Sequence, residues 1–90
     1  MDTQIRFSVT GPAKGAIKRS IGELLVSLGF IRRGKAEFSR PSEITPEDAR
    51  KIIEGCYDIE KSHAPSRIVT LHVLSALIVM IIRRHRNRSI

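Results

Sequence analysis

Between Gln4 and Leu28 the apolar residues change from every second position to helical spacing, and the change occurs across a single Gly11-Pro12 step. In the first stretch Ile5, Phe7 and Val9 alternate with Gln4, Arg6, Ser8 and Thr10, the pattern of a strand with one buried face. In the second, Ile17, Ile21, Leu24, Leu25 and Leu28 share one side of a helix, with Lys14, Lys18, Arg19 and Glu23 on the other. A half-apolar strand followed at once by a half-apolar helix predicts that the two pack together in an α+β fold. Gly29 is placed as the helix C′ residue, where a left-handed backbone is least costly without a Cβ.

The remaining segments extend this pattern. Phe30–Arg40 reads as a short hairpin: Phe30-Ile31 and Ala36-Glu37-Phe38 are strand-like, with Arg33-Gly34 at the turn. After a linker over Pro41–Thr45, Thr45-Pro46-Glu47-Asp48 opens a second helix with a capping hydroxyl, a first-turn proline and two acids at the positive end of the dipole. Ala49, Ile52, Ile53, Cys56 and Ile59 form its expected buried stripe, ending near Ser62. Ile68–Ile82 is apolar except for Thr70, His72 and Ser75, and admits two readings. One is a single buried helix from Pro65 to about Arg86. The other is a strand over Arg67–Leu74, rich in β-branched residues, then a short helix over Ala76–Arg86. The second gives the ferredoxin-like order βαββαβ. Either way the chain reads as one small domain over residues 1–82 with a basic tail over 83–90. A chain of 90 residues lies near the lower size limit for an adequate core. A homodimer is therefore expected, with Leu71, Leu74, Ile78 and Ile81 at its interface.

Charge is sorted along the chain. Residues 41–62 hold Glu43, Glu47, Asp48, Glu54, Asp58 and Glu60 against three bases, whereas residues 1–40 carry eight bases against three acids. Residues 63–90 carry five arginines and no acid, and the whole chain has a net charge of +7. Such sorting concerns partners and favours a polyanion or an acidic protein surface. The candidate anion-binding residues are Lys14, Lys18, Arg19, Arg32, Arg33, Lys35, Arg83, Arg84, Arg86 and Arg88. Phe7, Phe30, Phe38 and Tyr57 are the only aromatics, so base stacking has few platforms and sequence readout is expected to be weak.

The step from Val9 to Ala16 joins a strand to a helix start through Gly11, Gly15 and Lys14, a place where free amides could hold a phosphate. Neither the Walker nor the dinucleotide spacing is present. The stretch resembles the phosphate loop of acylphosphatases, small ferredoxin-like enzymes with the pattern Gly-x-Val-Gln-Gly-Val-x-Phe-Arg. Gly11, Gly15 and Arg19 fall at matching positions, and Leu28-Gly29-Phe30 follows at a similar distance. Lys14 replaces the Gln, Lys18 the Phe, and Arg33 stands near the place of the catalytic Asn. What the resemblance implies is the fold; the catalytic group is missing.

No other constellation carries chemistry. His63, His72 and His85 are spread along the chain without metal-ligand spacing, so no metal or other cofactor is expected. Cys56 shares a helical face with Ile52 and reads as core; Glu54 and Asp58, four apart, read as a solvated acidic face. A lone cysteine and an N-terminus without a secretory pattern point to the cytoplasm. The fifteen residues of the mainly apolar segment Ile68–Ile82 fall short of the ~20 that span a membrane. The expectation is a small basic, non-enzymatic module contacting nucleic-acid phosphates (DNA or RNA) with low sequence specificity. The alternative is a regulator or inhibitor that docks as a dimer on an acidic protein surface.

Overall fold

The computed structural model describes residues 2–75 and the backbone of 79–83. The elements run β1 (Thr3–Thr10), α1 (Lys14–Ser27), β2 (Ile31–Gly34), β3 (Glu37–Arg40), α2 (Pro46–Ser62), β4 (Arg67–Leu74) and β5 (Val79–Arg83). They build one sheet in the order β2-β3-β1-β4-β5, antiparallel at every pairing. The first four strands have the ferredoxin-like order, and β5 extends the β4 edge. The crossovers β1-α1-β2 and β3-α2-β4 each skip one strand. Both place their helix on the same face, where Ile17, Ile21 and Leu25 of α1 and Ile52 and Cys56 of α2 meet Ile5, Phe7, Phe38, Leu71 and Val73.

Local chemistry explains the boundaries. In β1 the alternation appears as burial, with Ile5 and Phe7 inside and Gln4, Arg6 and Ser8 exposed. Helix α1 ends in a Schellman arrangement: Phe30 N–H donates to Leu25 O and Gly29 N–H to Val26 O, with Gly29 at φ +91°. Helix α2 starts as its sequence dictates, with the Asp48 amide donating to Thr45 Oγ1 at 3.0 Å and Pro46 in the first turn.

Three expectations are corrected. Arg33 and Gly34 belong to β2, where Gly34 pairs with Glu37, so the hairpin turn falls at Lys35-Ala36. Ile53 does not join the buried stripe of α2 but is 38% exposed. Ile52 next to it already faces the core, and adjacent helix positions are turned about 100° apart. Of the two readings of the last segment, the strand over Arg67–Leu74 is present and the long buried helix is not. The short helix fails where it is described, since 79–83 is a strand paired antiparallel to β4. Val79-Met80-Ile81-Ile82 is a run of β-prone and flexible apolar residues that extends a sheet edge readily. A bulge at Val69, between the Ser8–Thr70 and Val9–Ile68 pairs, lets both Ile68 and Leu71 reach the core.

Arg40, at the end of β3, joins the elements that carry the two helices. Its Nη1 donates to Leu28 O at 2.8 Å, and its Nη2 donates to Glu43 O at 2.7 Å and Asp48 Oδ2 at 3.1 Å. The guanidinium also lies 5.0 Å from the centre of the Phe30 ring. One side chain thus satisfies a carbonyl at the end of α1, a carbonyl of the linker and a carboxylate in the first turn of α2. With only 12% of that side chain exposed, its loss leaves part-buried acceptors unpaired. Arg40→Ala is expected to destabilise the domain by about 3 kcal/mol, as for a broken buried ion pair. Arg40→Lys should recover little, because an ammonium on a flexible stem cannot reproduce the planar fork. Urea unfolding of both variants checks this; a lysine variant as stable as wild type would show that charge alone suffices.

Candidate anion-binding groove

The register of the sheet decides which cations gather. β1 pairs Ile5 with Phe38, and β3 pairs Phe38 with Arg32, so Arg32 stands on the helix side of the sheet. There its Cζ lies 5.0 Å from the centre of the Phe38 ring. It also crosses α1 at Gly22, where an added Cβ would come within 2.7 Å of Arg32 Nη2. A phenyl ring and a bare stretch of helix thus hold the guanidinium. Lys18 and Arg19, from the early turns of α1, and Lys35, from the β2–β3 turn, join it around a shallow groove of about 280 Å³ that Gly15 also lines. The two ion pairs among the described residues, Arg6–Glu37 at 3.3 Å and Arg40–Asp48 at 3.1 Å, lie elsewhere. None of the four groove cations has a carboxylate partner there.

The other expected anion-binding residues separate from this group. Arg33, next to Arg32 in β2, faces the open side by the ordinary alternation of a strand, and there Arg33 Nε donates to Ser39 Oγ at 2.8 Å. It lines a different depression of about 360 Å³ with Arg6, Glu37 and Asp2. Lys14 is exposed at the start of α1 but does not line the groove. Arg83 ends β5, at the sheet edge opposite β2. Four strand spacings put those edges about 19 Å apart, so Arg83 and the groove are not one patch. Arg84, Arg86 and Arg88 lie outside the described residues. Of the expected dimer residues, Leu71 is 3% exposed within this chain's own core and Leu74 is 36% exposed. Ile81 pairs with His72 through the backbone, and Ile78 lies outside the described residues.

The β1–α1 step is occupied by the protein itself. Gly11 has φ +115°, and a Cβ there would lie 2.5 Å from the Ser66 Cα. That close approach lets the buried Ser66 Oγ accept from the Ala13 amide at 2.7 Å, while the Lys14 amide donates to Gly11 O. These two amides are therefore engaged, and the anion-binding potential of the region rests on side chains a turn further along α1. Neither Ser66 nor Arg40 could be singled out from the sequence, because each matters only through contacts made by the folded chain.

Cys56 and His63 have structural environments, whereas the buried His72 Nε2 has no hydrogen-bond partner among the described residues. Burial, reinforced by Glu60, pushes the Cys56 thiol up from its ordinary 9.0 to about 12. Glu60 Oε2 accepts from the Ile68 amide at 2.8 Å, and His63 Nδ1 donates to Ile59 O at 2.8 Å, closing the end of α2. No cluster of three or more His, Cys, Asp or Glu among the described residues could hold a metal, and no helix among them is long and apolar enough to cross a membrane. No family model, curated protein or solved structure matches the chain.

The thiol gives a pH test. Its pKa is raised by folding, so its contribution to stability is complete below pH 9.0 and is lost as pH rises toward about 12. Cys56→Ala should lose less stability than wild type between about pH 8.5 and 11. Urea midpoints of both proteins across that range measure the difference, and parallel curves would mean that the thiol ionises freely in the fold.

Proposed function

We propose that this chain is a small non-enzymatic binding module that contacts nucleic-acid phosphates, with low sequence specificity, through the groove between α1 and the β2–β3 hairpin. The observation that carries the reading is the gathering of Lys18, Arg19, Arg32 and Lys35 around one groove without a carboxylate partner among the described residues. Such a cluster repels itself in the free protein and is relieved by a polyanion. Phosphate contacts of this kind orient a nucleic acid without reading its bases.

Duplex binding should weaken with salt, log K falling by roughly 0.9 per phosphate contacted for each unit of log salt. Lys18→Ala with Arg32→Ala should flatten that slope by about 1.8 if each contacts one phosphate. Lys14→Ala and Arg33→Ala, outside the groove, should change it less, and Arg83→Ala with Arg84→Ala and Arg86→Ala tests the tail separately. Fluorescence anisotropy titrations at several salt concentrations supply the slopes. Salt-insensitive titrations with both DNA and RNA would remove the reading. Co-purification with a protein after nuclease treatment would then favour docking on an acidic partner surface.

In this reading the module acts in the cytoplasm as a homodimer, with the exposed Leu74 at the interface. Leu74→Asp should then give monomers, and sedimentation of a monomeric wild type at high micromolar concentration would remove the dimer.

A further inference from the structure

We infer that the groove, besides meeting nucleic-acid phosphates, takes a condensed phosphate, a run of phosphates joined through shared oxygens as in triphosphate, whose closer charge spacing matches its cations better than that of successive phosphodiesters. The inference rests on the groove being a phosphate site and assigns its ligand. Four cations line this open groove of about 280 Å³, and a sphere of equal volume is about 8 Å across. A strand carries one charge per ~3.4 Å of axis, so it places about two charges in that span, half of what the cations match. A terminal phosphate carries up to about two charges near neutral pH and an internal one a single charge, so a triphosphate matches the four cations to within about one.

Arg32 supports the same ligand. Its guanidinium is held by the Phe38 ring and by the space at Gly22, and it has no hydrogen-bond or ion-pair partner among the described residues. A planar fork fixed in this way engages two phosphate oxygens together, while Lys18 and Lys35 supply point charges that adapt to the rest of the chain.

Gly15 allows a test that spares the fold. It lies in the groove lining, and a Cβ built there meets nothing within 4 Å. Gly15→Glu adds a carboxylate among the four cations, in the first turn of α1 where the helix dipole favours it. Calorimetric titration of the full chain with inorganic triphosphate, ATP, orthophosphate and a short duplex, at matched ionic strength, is the experiment. Triphosphate is expected to bind at least about tenfold tighter than orthophosphate, a 1.4 kcal/mol difference. Gly15→Glu should lose at least about tenfold with an unlowered melting temperature, while Gly15→Ala should keep the affinity. Equal binding of ATP and inorganic triphosphate assigns the phosphate chain alone as the ligand, and tighter ATP binding adds the nucleoside as its source. Triphosphate no tighter than orthophosphate, or unaffected by Gly15→Glu, overturns the inference. A salt-sensitive duplex complex alongside that result would leave the broader phosphate reading standing; no binding of either would remove both.

Discussion

The register of β1 is the constraint on which the rest of the structure depends. This strand is paired on both edges, to β3 and to β4, so its alternation is imposed on every strand between β2 and β4. A slip of one residue would turn Ile5 and Phe7 away from the helices and bring Arg6 and Ser8 toward them. The same register, passed through Phe38, fixes the side on which Arg32 stands. Core and groove are consequences of one pairing. The alternation of β2 then divides the neighbouring Arg32 and Arg33 between opposite faces of a two-sided sheet.

The distribution of carboxylates completes the electrostatic pattern. Glu37 pairs with Arg6 on the open face, where both side chains are more than half exposed and the pair contributes little. Asp48 pairs with Arg40 in a protected corner, where it joins α2 to the end of β3. The acidic helix therefore directs its most consequential carboxylate inward, and the groove cations are left to one another. A surplus of like charge in one place lowers stability in the free protein, and that same repulsion is the free energy a bound anion recovers.

Much of the fold was legible because it follows from local spacing. The period change at Gly11-Pro12, the Schellman glycine at position 29 and the Thr45-Pro46 helix start are signals read within a few residues, and each appears where the sequence places it. The segment after Pro65 was not, because a continuous apolar run has no period of its own; what selects a strand at Arg67–Leu74 is the free edge of β1, a partner more than fifty positions away. The candidate site was legible in part for the same reason. Lys18, Arg19 and Lys35 are near one another through α1 and the hairpin turn, but choosing Arg32 over Arg33 requires the register passed from β1 through Phe38, and the engagement of the Ala13 amide requires Ser66. Helix Ile53 shows the limit of spacing arguments even locally, since two adjacent apolar residues compete for one direction.

The placement of the aromatic rings bears on which face of the sheet meets a ligand. Phe7 and Phe38 lie stacked at 6.2 Å beneath the helices, Phe30 is closed under Arg40, and Tyr57 stands outward on α2. Register puts Gln4, Arg6, Ser8, Ile31, Arg33, Glu37, Ser39, Thr70, His72 and Leu74 on the open face, and none of them is a ring on which a base stacks well except the half-buried imidazole of His72. A four-stranded sheet that binds unpaired bases does so with aromatics on that surface. Here the one ring that touches a groove cation, Phe38, is itself buried and acts from below, ordering Arg32 rather than offering a face to a base. The chemistry that the groove itself offers is charge and hydrogen bonding, which discriminates among anions by how closely their charges are spaced.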